Sequence, residues 1–205
     1  MTTCMRVGVA AALVAGCACG AASGATYTTQ ASFLAAVQSP RLSEDFTGMA
    51  HPGPTLTLAQ NGYGVQFTTG AQALLVFDLS ANDYLTTSTS TSGFSAPVTL
   101  TFTTGNVTAV GGSFFQTSAF GAFVSSPVTL NFSDGTSQVL TPGSNAEFFG
   151  YTSTVPIASL TVSPDASHHF VSMDNIRIGA AIVPAPGAMA LLACAGVFGV
   201  RRRGR

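Results

Sequence analysis

In the stretch from Pro97 to Thr103, Val98, Leu100 and Phe102 alternate with Thr99, Thr101 and Thr103. A strand there turns the three apolar side chains to one face and the threonines to the other. The same alternation returns in Pro127-Val128-Thr129-Leu130-Asn131-Phe132, and the following Ser133-Asp134-Gly135-Thr136 carries the Asp-Gly of a tight hairpin, so 136–140 runs back antiparallel. The two segments share the pattern P-V-T-L-x-F-x-x-G at an offset of 30 residues. Two copies are too few for a solenoid, and two hairpin strands meeting one packing requirement account for them. Apolar alternation over short runs, punctuated by Gly, Pro, Asn and Asp, predicts further strands over 43–46, 63–68, 73–77, 84–87, 108–116, 119–124, 147–152, 157–162 and 169–178. One helix stands apart. Residues 28–37 offer a threonine cap and then Phe33, Leu34 and Val37 on one helical face, and Pro40 closes the segment. About a dozen short strands without helical crossovers predict an all-β, jelly-roll-like β-sandwich with one short N-terminal helix.

Both ends break this pattern. Residues 1–25 carry Arg6, an apolar run from Val7 to Ala15, and then small residues, which is the layout of a signal peptide cut after Ala25 with Ser23 at the minus-three position. Val14-Ala15-Gly16-Cys17 also fits a lipobox, which would place a lipid on Cys17. At the other end, residues 187–200 are free of charge and are followed by Arg201, Arg202, Arg203 and Arg205. As a helix those residues rise roughly 21 Å, short of the ~30 Å hydrocarbon core, so the segment is a marginal membrane anchor. Arginines behind an apolar run stay on the cytoplasmic side and lock the tail there while the body crosses. Three units follow: a leader over 1–25, a sandwich over 26–180, and a tail over 181–205.

The tail as a whole, with Val183-Pro184-Ala185-Pro186, then an apolar helix, then the terminal arginines, resembles the PEP-CTERM sorting signal of exported bacterial proteins. Ala185 stands where that family usually has glutamate. The resemblance implies a transient partner, an exosortase-type membrane protease, and a destination at the cell surface or in extracellular polysaccharide. Strands such as Phe170-Val171-Ser172-Met173-Asp174-Asn175-Ile176 are similar to the closing strand of jelly-roll modules that precede such tails and of carbohydrate-binding sandwiches.

Composition narrows the chemistry. Between Gly24 and Val183 two arginines, Arg41 and Arg177, face eight acids, a net charge of −6, and there is no lysine. That excludes a phosphate-neutralising footprint and with it a nucleic-acid partner. The four cysteines all lie in the two terminal segments, so the body carries neither a disulfide nor a thiolate metal site. His168 and His169 are adjacent and point to opposite faces of a strand, and His51 sits in a Pro-Gly turn, so no zinc spacing exists. Glu44 and Asp45 would meet Asp174 if the first and last body strands are neighbours, a hard oxygen set suited to calcium. Tyr63, Tyr84 and Tyr151 are the candidate platforms for a sugar ring, since tryptophan is absent. No Gly-x-Ser-x-Gly elbow occurs, and no motif concentrates a carboxylate pair. The sequence therefore predicts an exported, non-enzymatic protein with a structural or adhesive role, tethered to the inner membrane until its tail is processed. A carbohydrate-binding module contacting exopolysaccharide is the first alternative and a secreted hydrolase the second.

Overall fold

The structure is a computed structural model that describes residues 24–50, 52–70, 73–77, 83–87, 96–165 and 169–182. Residues 1–23 of the leader, His51, His168, the sorting motif Val183 to Pro186 and the terminal arginines lie outside the described residues.

The body is mostly β, built as two antiparallel sheets with one short helix. In chain order its elements are β1 (Ala25–Tyr27), α1 (Gln30–Ala35), β2 (Leu42–Glu44), β3 (Thr55–Gln60), β4 (Tyr63–Thr68), β5 (Leu74–Phe77) and β6 (Tyr84–Thr87). They continue as β7 (Val98–Phe102), β8 (Ala109–Thr117), β9 (Phe123–Val124), β10 (Val128–Phe132), β11 (Ser137–Leu140), β12 (Phe148–Thr152), β13 (Ser159–Pro164) and β14 (Phe170–Gly179). The first sheet runs β1-β12-β8-β14-β6-β5, with β2 also on β14 and β9 also on β8. The second runs β11-β10-β13-β7-β4-β3.

The alternation read from the sequence sets the core. Val98, Leu100 and Phe102 of β7 and Val128, Leu130 and Phe132 of β10 are buried, while Thr101 and Asn131 between them are exposed. They join Phe67, Leu85, Phe114, Met173 and Ile178 in one apolar cluster drawn from both sheets. A second, smaller cluster lies on the outer face of the first sheet, where Phe33 and Val37 cover Ala109 and Phe148. Thr29 caps α1, its side chain accepting the Ser32 amide at 3.3 Å, which satisfies one of the amides a helix start leaves open.

Several elements depart from the sequence expectation. The alternating run Thr55–Gln60 is a strand, the outermost of the second sheet, though it follows the turn-rich Pro52-Gly53-Pro54. Residues 119–122 turn rather than extend: Ser118 donates to the Ala122 carbonyl at 2.8 Å and Gly121 to that of Ser118 at 3.0 Å, leaving only β9 as strand. The sandwich also begins earlier than residue 26, because Ala25 pairs with Thr152 in the β1–β12 ladder. It ends later than residue 180, because Val37 bridges Ala181 and the Ile182 amide donates to the Ala36 carbonyl at 2.8 Å.

Candidate functional site

The strands that carry the acidic residues singled out in the sequence are neighbours. β2 lies antiparallel on β14, with Glu44 opposite Ile176 and Ser43 opposite Arg177. On the other side of β14 the register against β8 shifts between Asp174 and Arg177, and Asn175 takes a left-handed φ of 52°. Asparagine tolerates that conformation better than most residues, so it serves as the bulge. Asp174 is buried and turns back onto the bulge, accepting the Asn175 amide at 2.5 Å and its side-chain amide at 2.8 Å. Glu44 accepts the Phe46 amide at 2.7 Å, and Asp45 that of Thr47 at 3.2 Å. The positive charge among them is Arg177, whose guanidinium donates to the carbonyls of Ile176 at 3.0 Å and Glu44 at 3.4 Å. Burial pushes this guanidinium below its usual range, and Asp45, Asp174 and Glu44 pull the other way. The oxygens of the three acids therefore serve local amides, with the half-buried Arg177 as the positive charge that feels all three. Among the described residues no group of three or more His, Cys, Asp and Glu side chains is arranged to hold a metal ion.

The three tyrosines have a different fate from the one their chemistry suggested. Tyr63, Tyr84 and Tyr151 are 8%, 1% and 2% exposed, so their ring faces are covered by protein and are not stacking platforms for a sugar. Tyr84 stacks on Phe77 at 5.9 Å and meets Phe115 edge-on at 5.3 Å, with its hydroxyl donating to the Gly121 carbonyl at 2.5 Å. Burial pushes its pKa up to about 12. Tyr151 lies 4.4 Å from Phe132, and its hydroxyl donates to Asp134 at 2.8 Å beside Thr136 at 2.9 Å. Burial would raise the Asp134 carboxyl, but hydrogen bonds from the Thr136 amide, Tyr151 and Ser153 outweigh it and hold the pKa below the ordinary carboxylate value.

Sequence reasoning missed two features. Gln116, completely buried on β8, donates through its side-chain amide to the Pro127 carbonyl and to Asp165 at 3.0 Å, while Ser126 donates to the same Asp165 oxygen at 2.9 Å. Two acceptors on one side fix which way this amide faces, and its carbonyl oxygen is left buried without a partner. The imidazole Nδ1 of His169 is likewise buried and unpartnered. Both atoms lie near the ends of strands, a placement that single-residue chemistry does not announce.

The second feature is a cavity of about 210 Å³ where residues 141–147 cross from β11 in one sheet to β12 in the other. Its floor is buried: Phe114, Phe148, Phe149 and Pro142. Its rim is exposed: Thr28, Thr141, Glu147 and Val139. The Gly143 amide donates to the Glu147 carboxylate at 2.7 Å, which ties the connection to itself and fixes the acid. β11 is the outer strand of its sheet, so its free backbone edge borders the opening. Glu147, Phe148 and Phe149 fall in a strand that the sequence predicts, but the cavity beside them exists only because the chain changes sheets there.

Comparison with protein-family models, with curated proteins and with solved structures finds no match to this chain.

Proposed function

We propose that this chain is an exported protein whose jelly-roll-type β-sandwich has a structural or adhesive role at the cell surface or in an exopolysaccharide matrix. Its N-terminal segment directs export, and an exosortase-type membrane protease processes the tail at Val183 to Pro186 after the arginines have held it at the inner membrane. One observation carries this reading: the folded body closes on itself between the two address segments. Ala25 enters the β1–β12 ladder, and among the described residues the Ile182 amide, one residue before the motif, donates to the Ala36 carbonyl. A unit tied together at both ends retains its sheets when either flanking segment is cut.

Glu44, Asp45, Asp134, Glu147, Asp165 and Asp174 each accept hydrogen bonds from backbone amides or from neighbouring side chains, which gives each of them a local structural task. The test is the intact mass of the protein recovered from membrane, surface and medium fractions of its native host. Loss of both ends, with a cut between Val183 and Pro186, is the expected result. A mass that keeps Arg205 in every fraction overturns the sorting step, and a lipid on Cys17 replaces it with lipoprotein anchoring.

A further inference from the structure

We propose that the cavity beneath the 141–147 connection binds one neutral pyranose ring. The proposal goes beyond the export reading and stands whether or not the tail is processed.

The size of the cavity comes first. About 210 Å³ lies below the ~300–1,000 Å³ of pockets that take drug-sized ligands, so the occupant is a single ring and not a chain of rings. Polarity decides its class. The floor of Phe114, Phe148 and Phe149 asks for an apolar face. The rim asks for hydroxyl groups, because it offers an acceptor without a proton at Glu147, hydroxyls that both give and accept at Thr28 and Thr141, and the free backbone edge of β11. A pyranose presents this combination, with C–H groups on its faces and hydroxyls around its edge. A plain hydrocarbon would desolvate Glu147 and both threonines without replacing their water. A phosphate or carboxylate meets a negative charge, and no arginine lines the cavity to offset it. An ammonium suits Glu147 and the phenylalanines but leaves the donors of the rim unmatched.

The placement also differs from the aromatic platforms that composition suggested. Tyr63, Tyr84 and Tyr151 do not line this cavity, whose floor residues Phe114, Phe148 and Phe149 are themselves only 2%, 9% and 7% exposed and offer an apolar wall in place of an open stacking platform. Its walls come from both sheets and from the segment just after β1, so a bound ring would touch all three.

The test titrates the full chain, held in a zwitterionic detergent without a sugar headgroup, with glucose, galactose, mannose and N-acetylglucosamine. Amide shifts of Phe148 and Phe149 and saturation transfer to the sugar are followed by NMR. At least one pyranose should give a saturable response confined to this cavity. Thr141→Trp, at an exposed rim position, should weaken that response by about tenfold or more by filling the opening, and Glu147→Gln by about three- to tenfold by removing the charged acceptor. Val139→Trp, on the same rim, gives a second blocking variant if the first does not fold. No saturable response to any of the four sugars in the unmodified protein overturns the proposal. So does a response that both tryptophan variants leave unchanged. Binding of benzylamine in place of the sugars, lost in Glu147→Gln, would make this a cation site and overturn it as well.

Discussion

Gly111 and Gly150 stand opposite each other across the β8–β12 ladder, and the ring of Phe33 from α1 lies over both. A Cβ on Gly111 would fall 3.0 Å from the Phe33 ring and 2.7 Å from that of Phe148, and a Cβ on Gly150 would press still closer on Phe33. Two missing side chains on paired strands thus make the notch that docks α1. Phe33→Ala empties the notch and is expected to cost about 3–5 kcal/mol. Gly150→Ala overfills it and is expected to cost about 1–3 kcal/mol. Denaturant unfolding of the single variants and of the double variant checks this. The two effects should add to less than their sum, because the added methyl finds room once the ring is gone. Full additivity would mean that Phe33 and Gly150 do not share a site.

Asp134 should contribute to acid stability with a definite sign. Its folded pKa is held below the ordinary value of 3.8, so the folded state binds its proton less readily than the unfolded chain. The contribution is complete above the unfolded value and is lost as pH falls from about 3.8 through the lower folded value. Asp134→Asn should therefore flatten the stability curve below about pH 4 relative to the parent protein. Urea unfolding across that range measures it, and parallel curves would show that Asp134 carries no linkage.

On the alkaline side the governing group is Tyr84. Its folded pKa is raised from 10.0 to about 12 by burial, so its share of stability is intact below 10.0 and disappears as pH rises through the folded value. Tyrosinate absorbance should show Tyr84 titrating in a phase near 12, while burial also raises Tyr151 above the ordinary 10.0. In Tyr84→Phe that phase should vanish, and neutral-pH stability should fall by about 0.5–1.5 kcal/mol with the loss of the hydrogen bond to Gly121. A phenol titrating normally at position 84 would show that water reaches it.

Arg177 is the positive charge that feels Asp45, Asp174 and Glu44, and its guanidinium bonds the Glu44 and Ile176 carbonyls. Millimolar calcium should leave the thermal midpoint unchanged, with or without prior chelator. Arg177→Met should lower stability by about 1.5–3 kcal/mol, because carbonyls on both β2 and β14 lose a charged donor. Differential scanning calorimetry reads both. A rise of several degrees on adding calcium to the parent protein would restore the carboxylates as a metal site.

The start of β1 predicts where an export leader can be removed without harm. Ala25 pairs with Thr152, Tyr27 packs edge-on against Phe33 at 5.8 Å, and Gly24 lies so close to the Tyr151 ring that a side chain there would collide. The secreted form should therefore begin at or before Gly24 and not at Thr26. N-terminal sequencing decides this. Removing residues through Tyr27 should lower the melting temperature, since it strips the edge strand from β12 and uncovers Phe33.

The alternation of apolar and polar positions determined the strands themselves, because the period of two is a local property of extended chain. Tyr63–Thr68 and Tyr84–Thr87 fall at the residues predicted, and Thr29 caps the helix where the threonine pair pointed. Ala25–Tyr27 was not legible, because its small residues read as the end of a leader, and Thr55–Gln60 was masked by the prolines and glycine before it. Residue chemistry also gave the neighbourhood of Glu44, Asp45 and Asp174, which required only that β2 and β14 be adjacent. What lay between those acids, which side of the sheet each tyrosine faced, and which glycines stood opposite each other were decided by the tertiary structure. Those relationships join residues far apart in sequence, such as Phe33 with Gly150 and Glu44 with Arg177. They are fixed by which strands pack side by side, and a local pattern of hydrophobicity carries no record of that choice.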